Sequence, residues 1–222
     1  MRLFTKFWIK RIVVLLMLSF IYYVFNLYSE IKSEFSSQLK LRNNVTQIEY
    51  SIDDYPSELI NMLLLVEDQS FFDHYGIDFK EIARVIYGYL FEDKVLRGAS
   101  TISQQLIKNT LLSREKTLSR KSKEALMAFL LELSYEKNFI LERYMNTVYL
   151  AQKGDVAFHG FASGSLFYFN KDVEDLNLEE MATLVALLKA PSYYHPTNFP
   201  ERLSKRVKMI LSMHENYKTI IN

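Results

Sequence analysis

From Ile12 to Tyr28 the chain is apolar apart from Ser19 and Asn26, and Arg2, Lys6, Lys10 and Arg11 stand in front of this run. As a helix, such a run spans roughly 25 Å, close to the ~30 Å of a bilayer's hydrocarbon core. Phe7, Trp8 and Ile9 can extend it while the flanking cations reach back to the headgroups. Cations before the run and none directly after it predict an N-terminus inside and a C-terminus outside. A cleaved signal sequence would need small residues after the apolar core, and Tyr22 to Tyr28 offers no such site. The expectation is an uncleaved anchor over 12–28, a cytoplasmic basic segment over 1–11, and everything else outside the cytoplasm.

The 222 residues leave room for one further domain of ordinary size. Half-apolar composition, with 14% aromatic residues, supports a real core and argues against disorder. A net charge of +1 gives no general reason to expect nucleic acid, and the absence of cysteine removes disulfide, thiol and thiolate-metal chemistry. Residues 29–54 are polar and mixed, with Asn43, Asn44 and the run Asp53 to Pro56 as breakers, and read as a short helical stalk and a linker. The domain then occupies 55–222.

Within it, helical signals dominate. Residues 57–66 form a compact apolar helix. Asp78 and Glu81 resemble a capping box, followed by one apolar face at Ile82, Val85, Ile86, Tyr89 and Leu90. The stretch Val85–Phe91 suits either the core or a dip into the bilayer. Thr101–Leu112 is a third helix, with Ser100 as its cap and Ser103 or Gln104 in the first turn. Residues 119–150 carry a long helical pattern with a break near Asn138. Asn177 and Glu180 cap a helix over Met181–Leu188 that Pro191 ends, and a last helix covers 201–217. With six glycines and no alternating strand pattern, the domain reads as mainly α, and Gly154–Gly164 reads as a turn between helices.

Three groups of residues can carry chemistry. Glu67 and Asp68 follow the apolar Met62–Val66, so a carboxylate there can act as a base in a partly desolvated site, or simply end a helix in solvent. Gly98 through Gln105 offers hydroxyls and amides suited to a polar ligand. Two adjacent glutamines cannot share one helix face, so Gln104 and Gln105 must diverge. Between Arg97 and Lys123 stand seven cations (Arg97, Lys108, Arg114, Lys116, Arg120, Lys121, Lys123) against one acid, Glu115. Such a stretch suits anionic headgroups or a pyrophosphate, or a solvated helix face. Glu124 directly after it can pair with Arg120 or Lys121, or hold a divalent ion.

In this order the segments resemble the peptidoglycan glycosyltransferases, the family of the polymerase domain of class A penicillin-binding proteins and of the monofunctional transglycosylases. Glu67-Asp68 with Phe71, His74 and Gly76 looks like the first family motif. Gly98 to Gln105 with Lys108-Asn109 looks like the second, Arg120-Lys121 with Glu124 like the third, and Lys137 to Asn146 like the fourth. Lys205-Arg206 through Ile210 is a weaker fifth, and Ala190-Pro191-Ser192-Tyr193 resembles a family turn. The resemblance covers about residues 57–215. It implies a lysozyme-like helical fold and polymerisation of lipid II into a β-1,4 glycan, by inverting transfer with release of undecaprenyl pyrophosphate.

In that reading Glu67 is the general base, and Glu124 orients cations or binds a metal near the pyrophosphate. Asp68, Phe71, His74, Ser100, Thr101, Gln104, Gln105, Lys108, Lys116, Arg120, Lys121 and Asn146 contact substrate. Lys108, Lys116 and Arg120 stabilise phosphate charge. No cofactor is obligatory, and a divalent cation (Mg or Mn) has a place at Glu124. The implied partners are lipid II, the growing glycan strand, the bilayer, and proteins of wall synthesis or division, with no nucleic acid. The implied location is a single-pass plasma (inner) membrane protein with an extracytoplasmic catalytic domain. As no transpeptidase domain follows before Asn222, the monofunctional form is expected.

Four positions depart from the family pattern. Lys116 stands at a usual arginine, exchanging a bidentate phosphate contact for a point charge. Lys205 and Met209 replace an arginine and a valine. Asn170 takes the place of a glycine, a mild change because asparagine tolerates left-handed backbone. Two competing functions are a lysozyme-like peptidoglycan-cleaving enzyme and a non-catalytic membrane-anchored scaffold. The first has no use for the basic run, and the second none for both carboxylates.

Overall fold

The computed structural model describes residues 2–38, 50–93, 95, 98–113 and 115–221. The breakers Asn43 and Asn44 and the cations Arg97 and Arg114 lie outside them. The chain divides into two units, residues 1–43 and 44–222.

The first unit is one helix, α1 (Arg2–Gln38). The expected anchor and stalk are therefore continuous, because the polar residues after Tyr28 contain no glycine or proline to stop a helix. Its stretch Trp8–Ser36 is long and apolar enough to cross a membrane.

The second unit is mainly α, as expected. Its helices are α2 (Ser57–Glu67), α3 (Phe79–Phe91), α4 (Ile102–Thr110), α5 (Leu118–Ser134), α6 (Lys137–Thr147), α7 (Phe161–Phe169), α8 (Leu178–Leu188) and α9 (Pro200–Ile221). Helix α2 packs on α8 and α9, and α4 packs on α5 and α6. In α2 the buried residues are Leu59, Met62 and Leu63, an i, i+3, i+4 stripe. Leu184, Val185 and Leu187 of α8 are likewise fully buried. Each such side chain contributes roughly 1.5–3 kcal/mol on leaving water.

Local chemistry sets the helix ends. Asn177 and Glu180 exchange side-chain-to-backbone bonds, both 2.9 Å, at the start of α8. The cap of α4 is Thr101 and not Ser100. Thr101 Oγ1 accepts from Gln104 N–H at 3.2 Å, and Gln104 Oε1 accepts from Thr101 N–H at 3.1 Å. The long pattern over 119–150 breaks near Asn138 as expected, at Tyr135 and Glu136, both in extended conformation. Asn170 ends α7 with φ 53°, the left-handed conformation its replacement of glycine suggested.

One further expectation is corrected. Residues 149–159 form an antiparallel hairpin of β1 (Tyr149–Lys153) and β2 (Val156–His159), with Gly154 at φ 60° in its turn. Only four or five residues long and largely exposed on β2, these strands have no alternating apolar pattern to announce them. On α3, where core and bilayer were both open, most of the apolar face lies at the surface. Val85 is buried and Ile82 half-buried, while Ile86, Tyr89 and Leu90 join Tyr87 and Phe91 (71% exposed) on the surface.

Candidate active site

Glu67 is the last residue of α2. It faces a cleft of about 510 Å³ within the second unit, whose walls come from α2, α3, α4, α9, the loop 98–101 and the end of α8. Of the residues expected to bind or act, Glu67, Asp68, Ser100, Thr101, Gln105 and Lys108 line this cleft. Arg84, Lys189 and Arg206 line it too. None of these three belonged to the expected set, although Arg206 lies in the fifth motif and Lys189 abuts the Ala190-Pro191 turn.

Glu67 is held from across the cleft. Its Oε2 accepts from Gln105 Nε2 at 2.9 Å, and Gln105 Oε1 accepts from the Tyr144 hydroxyl of α6 at 3.1 Å. Gln104 turns the other way and caps α4, which is the divergence that helical geometry requires. Tyr144 is wholly buried. Burial first, then the charges of Glu67 and Asp68, push its phenol well above the ordinary value, so it stays a donor.

Asp68 fixes where Glu67 stands. It accepts from Ile102 N–H at 2.9 Å, satisfying an orphan amide of the first turn of α4. It also accepts from His74 Nε2, at 3.0 and 3.1 Å from its two oxygens. Behind His74 lies a buried polar cluster. Glu132 accepts from Ser103 Oγ at 2.5 Å, and Lys137 Nζ lies 2.6 Å from its other oxygen and 4.5 Å from the Phe71 ring centroid. Phe71 and His74 thus support the cleft from behind. Gly76 completes that support, with φ 74° and its Cα so close to α5 that a Cβ would lie 2.5 Å from the Ala128 carbonyl carbon.

The third motif forms a separate charge cluster beside the loop 98–101. Glu124, 1% exposed, accepts from Arg120 Nη1 at 2.6 Å and from Lys121 Nζ. Lys121 also donates to Ser100 Oγ at 2.8 Å, joining α5 to the cleft wall. Both Glu124 oxygens are engaged by cations. Among the described residues, no group of three His, Asp or Glu side chains converges on a metal position. In this structure Glu124 is engaged by Arg120 and Lys121 and holds both cations beside the loop.

Like Phe71, His74, Gln104, Arg120 and Lys121, two further expected contacts lie outside the cleft lining. Lys116 is exposed between α4 and α5, outside the cleft lining. Asn146 is buried, and its amide is saturated. It accepts from Tyr50 N–H and the Tyr55 hydroxyl, and donates to the carbonyls of Tyr50 and Glu142. It clamps the start of the domain rather than facing the cleft. On the opposite wall, Arg206 Nε donates to the Ala186 carbonyl at 3.2 Å, and its guanidinium lies 5.3 Å from the Tyr194 ring centroid. These contacts hold it against the end of α8.

A cleft with a carboxylate at one helix end and Lys108, Lys189 and Arg206 in its walls can take a proton from a hydroxyl and accept an anionic group. Comparison with known proteins gives the family. The family model described as Transglycosylase matches residues 33–215. Penicillin-binding protein 1B of Haemophilus influenzae is 39% identical over 178 residues, covering 80% of this chain and 23% of that protein. Penicillin-binding protein 1A of Neisseria lactamica is 47% identical over 161 residues, covering 72% and 20%. Penicillin-binding protein 1B of Vibrio cholerae is 40% identical over 161 residues, covering 72% and 21%. The chain thus spans between a fifth and a quarter of the length of these curated relatives. With its match running through every element that builds the cleft, the chain belongs to the transglycosylase family, as a peptidoglycan glycosyltransferase domain.

Proposed function

We propose that this domain polymerises lipid II, with Glu67 as the general base. The observation that carries the reading is one cleft holding the Glu67 carboxylate together with Lys108, Lys189 and Arg206. The acceptor's GlcNAc 4-hydroxyl attacks C1 of the donor's MurNAc as its proton passes to Glu67. The bond from C1 to the phosphate oxygen breaks, and its electron pair leaves with undecaprenyl pyrophosphate. One displacement turns an α-linked donor into a β-1,4 bond. A pyrophosphate leaves as an anion, so the site needs cations on the leaving side and no second acid, unlike a two-carboxylate glycosidase. That need favours polymerisation over cleavage.

The remaining parts fit a reaction at a membrane surface. Cations before Ile12 orient α1 with its N-terminus in the cytoplasm and the catalytic unit on the extracytoplasmic face. The apolar residues exposed on α3 favour its contact with the bilayer over a place in the core. Incubating the purified chain with labelled lipid II in detergent tests the function. Polymer longer than the disaccharide is the expected product, and no polymer across varied detergents and metals would overturn the proposal.

A further inference from the structure

We propose that Tyr144 is a positioning residue, whose hydroxyl sets the orientation of the Gln105 amide so that Nε2, and not Oε1, is presented to Glu67. The assignment of Glu67 as base rests on the function proposed above, whereas the relay itself rests on geometry. Three helices meet in it: Tyr144 of α6 donates to Gln105 of α4, and Gln105 donates to Glu67 at the end of α2. A primary amide has the same shape when turned end for end, so its neighbours alone choose its orientation. An ionised Glu67 accepts only, and selects the amide nitrogen. Once Glu67 has taken a proton, it would favour the amide oxygen, and Gln105 would turn over. Tyr144 opposes that turn, because its oxygen could accept from the amide but its own buried hydroxyl proton would lose its acceptor. The relay therefore keeps Gln105 Nε2 turned toward Glu67.

The side chain of Tyr144→Phe has the same shape without the hydroxyl, so it isolates this role. Asp68, Asp78, Glu81, Arg84, Lys108, Lys189 and Arg206 line the same cleft, and all are unchanged between the two proteins. The first measurement is the pH dependence of the Gln105 side-chain amide resonance in 15N-glutamine-labelled protein, assigned with Gln105→Ala. The expected result is a single amide environment across the titration in the parent and a turnover at acid pH in Tyr144→Phe. Superimposable curves would overturn the relay, whether or not the protein polymerises lipid II. The second is the pH–rate profile. The acid limb should move in Tyr144→Phe, because the bond that Gln105 makes to the base is weakened. Adding Tyr144→Phe to Gln105→Ala should move it no further. An additional shift in the double variant would show that Tyr144 does not act through Gln105. Failure of the parent to make polymer would count against the proposed function alone, leaving the amide titration to decide the relay.

Discussion

Asp68 accepts the backbone N–H of Ile102 at 2.9 Å, tying the residue after α2 to the first residue of α4. The two helix ends that carry Glu67 and Gln105 are thereby fixed against each other, and His74 holds the same carboxylate from behind. Asp68 is thus a framework residue for the base next to it.

Removing that tie should cost both stability and rate. Asp68→Ala leaves the Ile102 amide and the His74 ring without their acceptor, a loss of about 2–4 kcal/mol for two buried bonds. Asp68→Asn keeps an oxygen for Ile102 and should recover most of the melting temperature and activity. Thermal unfolding and lipid II polymerisation of both variants check this. Equal, severe loss of activity in a stable Asp68→Asn protein would show that the charge of Asp68 acts on substrate.

Glu124 should behave differently. In Glu124→Gln one buried carboxylate is lost while Arg120 and Lys121 remain charged. Arg120 is largely buried, so the fold should weaken by about 2–3 kcal/mol. Lys121 loses its main anchor beside Ser100. Polymerisation should fall by about 10- to 100-fold through both KM and kcat, at a level that added magnesium or manganese does not restore. Recovery with metal would argue for a cation bound at Glu124.

Lys116 and Lys108 separate the cleft from the wider basic stretch. Lys108 lines the cleft and Lys116 does not. Lys116→Arg should leave polymerisation within about threefold of the parent, the small change usual for an exposed side chain. Lys108→Ala should lower it by about 10- to 100-fold, as expected when a cation beside a developing anion is removed. Comparable losses in both would place Lys116 at the substrate.

These contrasts mark what the sequence made legible. The caps at Asp78 and Asn177, the α2 stripe and the divergence of Gln104 from Gln105 follow from local rules, and all are seen. So is the left-handed backbone at Asn170. The hairpin over 149–159 escaped because short strands of mixed exposure lack a period. Asn146 and Phe71 stand within recognisable motifs, but a motif does not say whether a side chain faces substrate or braces the wall. Arg84 and Lys189 reach the cleft through the tertiary packing of α3 and α8, which no local pattern encodes. Tyr144 sat inside the fourth motif, yet only the fold brings it under Gln105.

The base itself remains the decisive residue. Glu67→Gln preserves size and can still bond to Gln105, so it tests the charge of this one side chain. The measurement is lipid II polymerisation by Glu67→Gln beside binding of a non-reactive donor analogue to the same protein. The expected result is loss of polymer by at least about 100-fold, the lower end of the range for general-base catalysis, with analogue affinity retained. Polymer formed at near-parental rate would contradict Glu67 as the base, and parallel loss of both activities would make it a binding or framework residue instead.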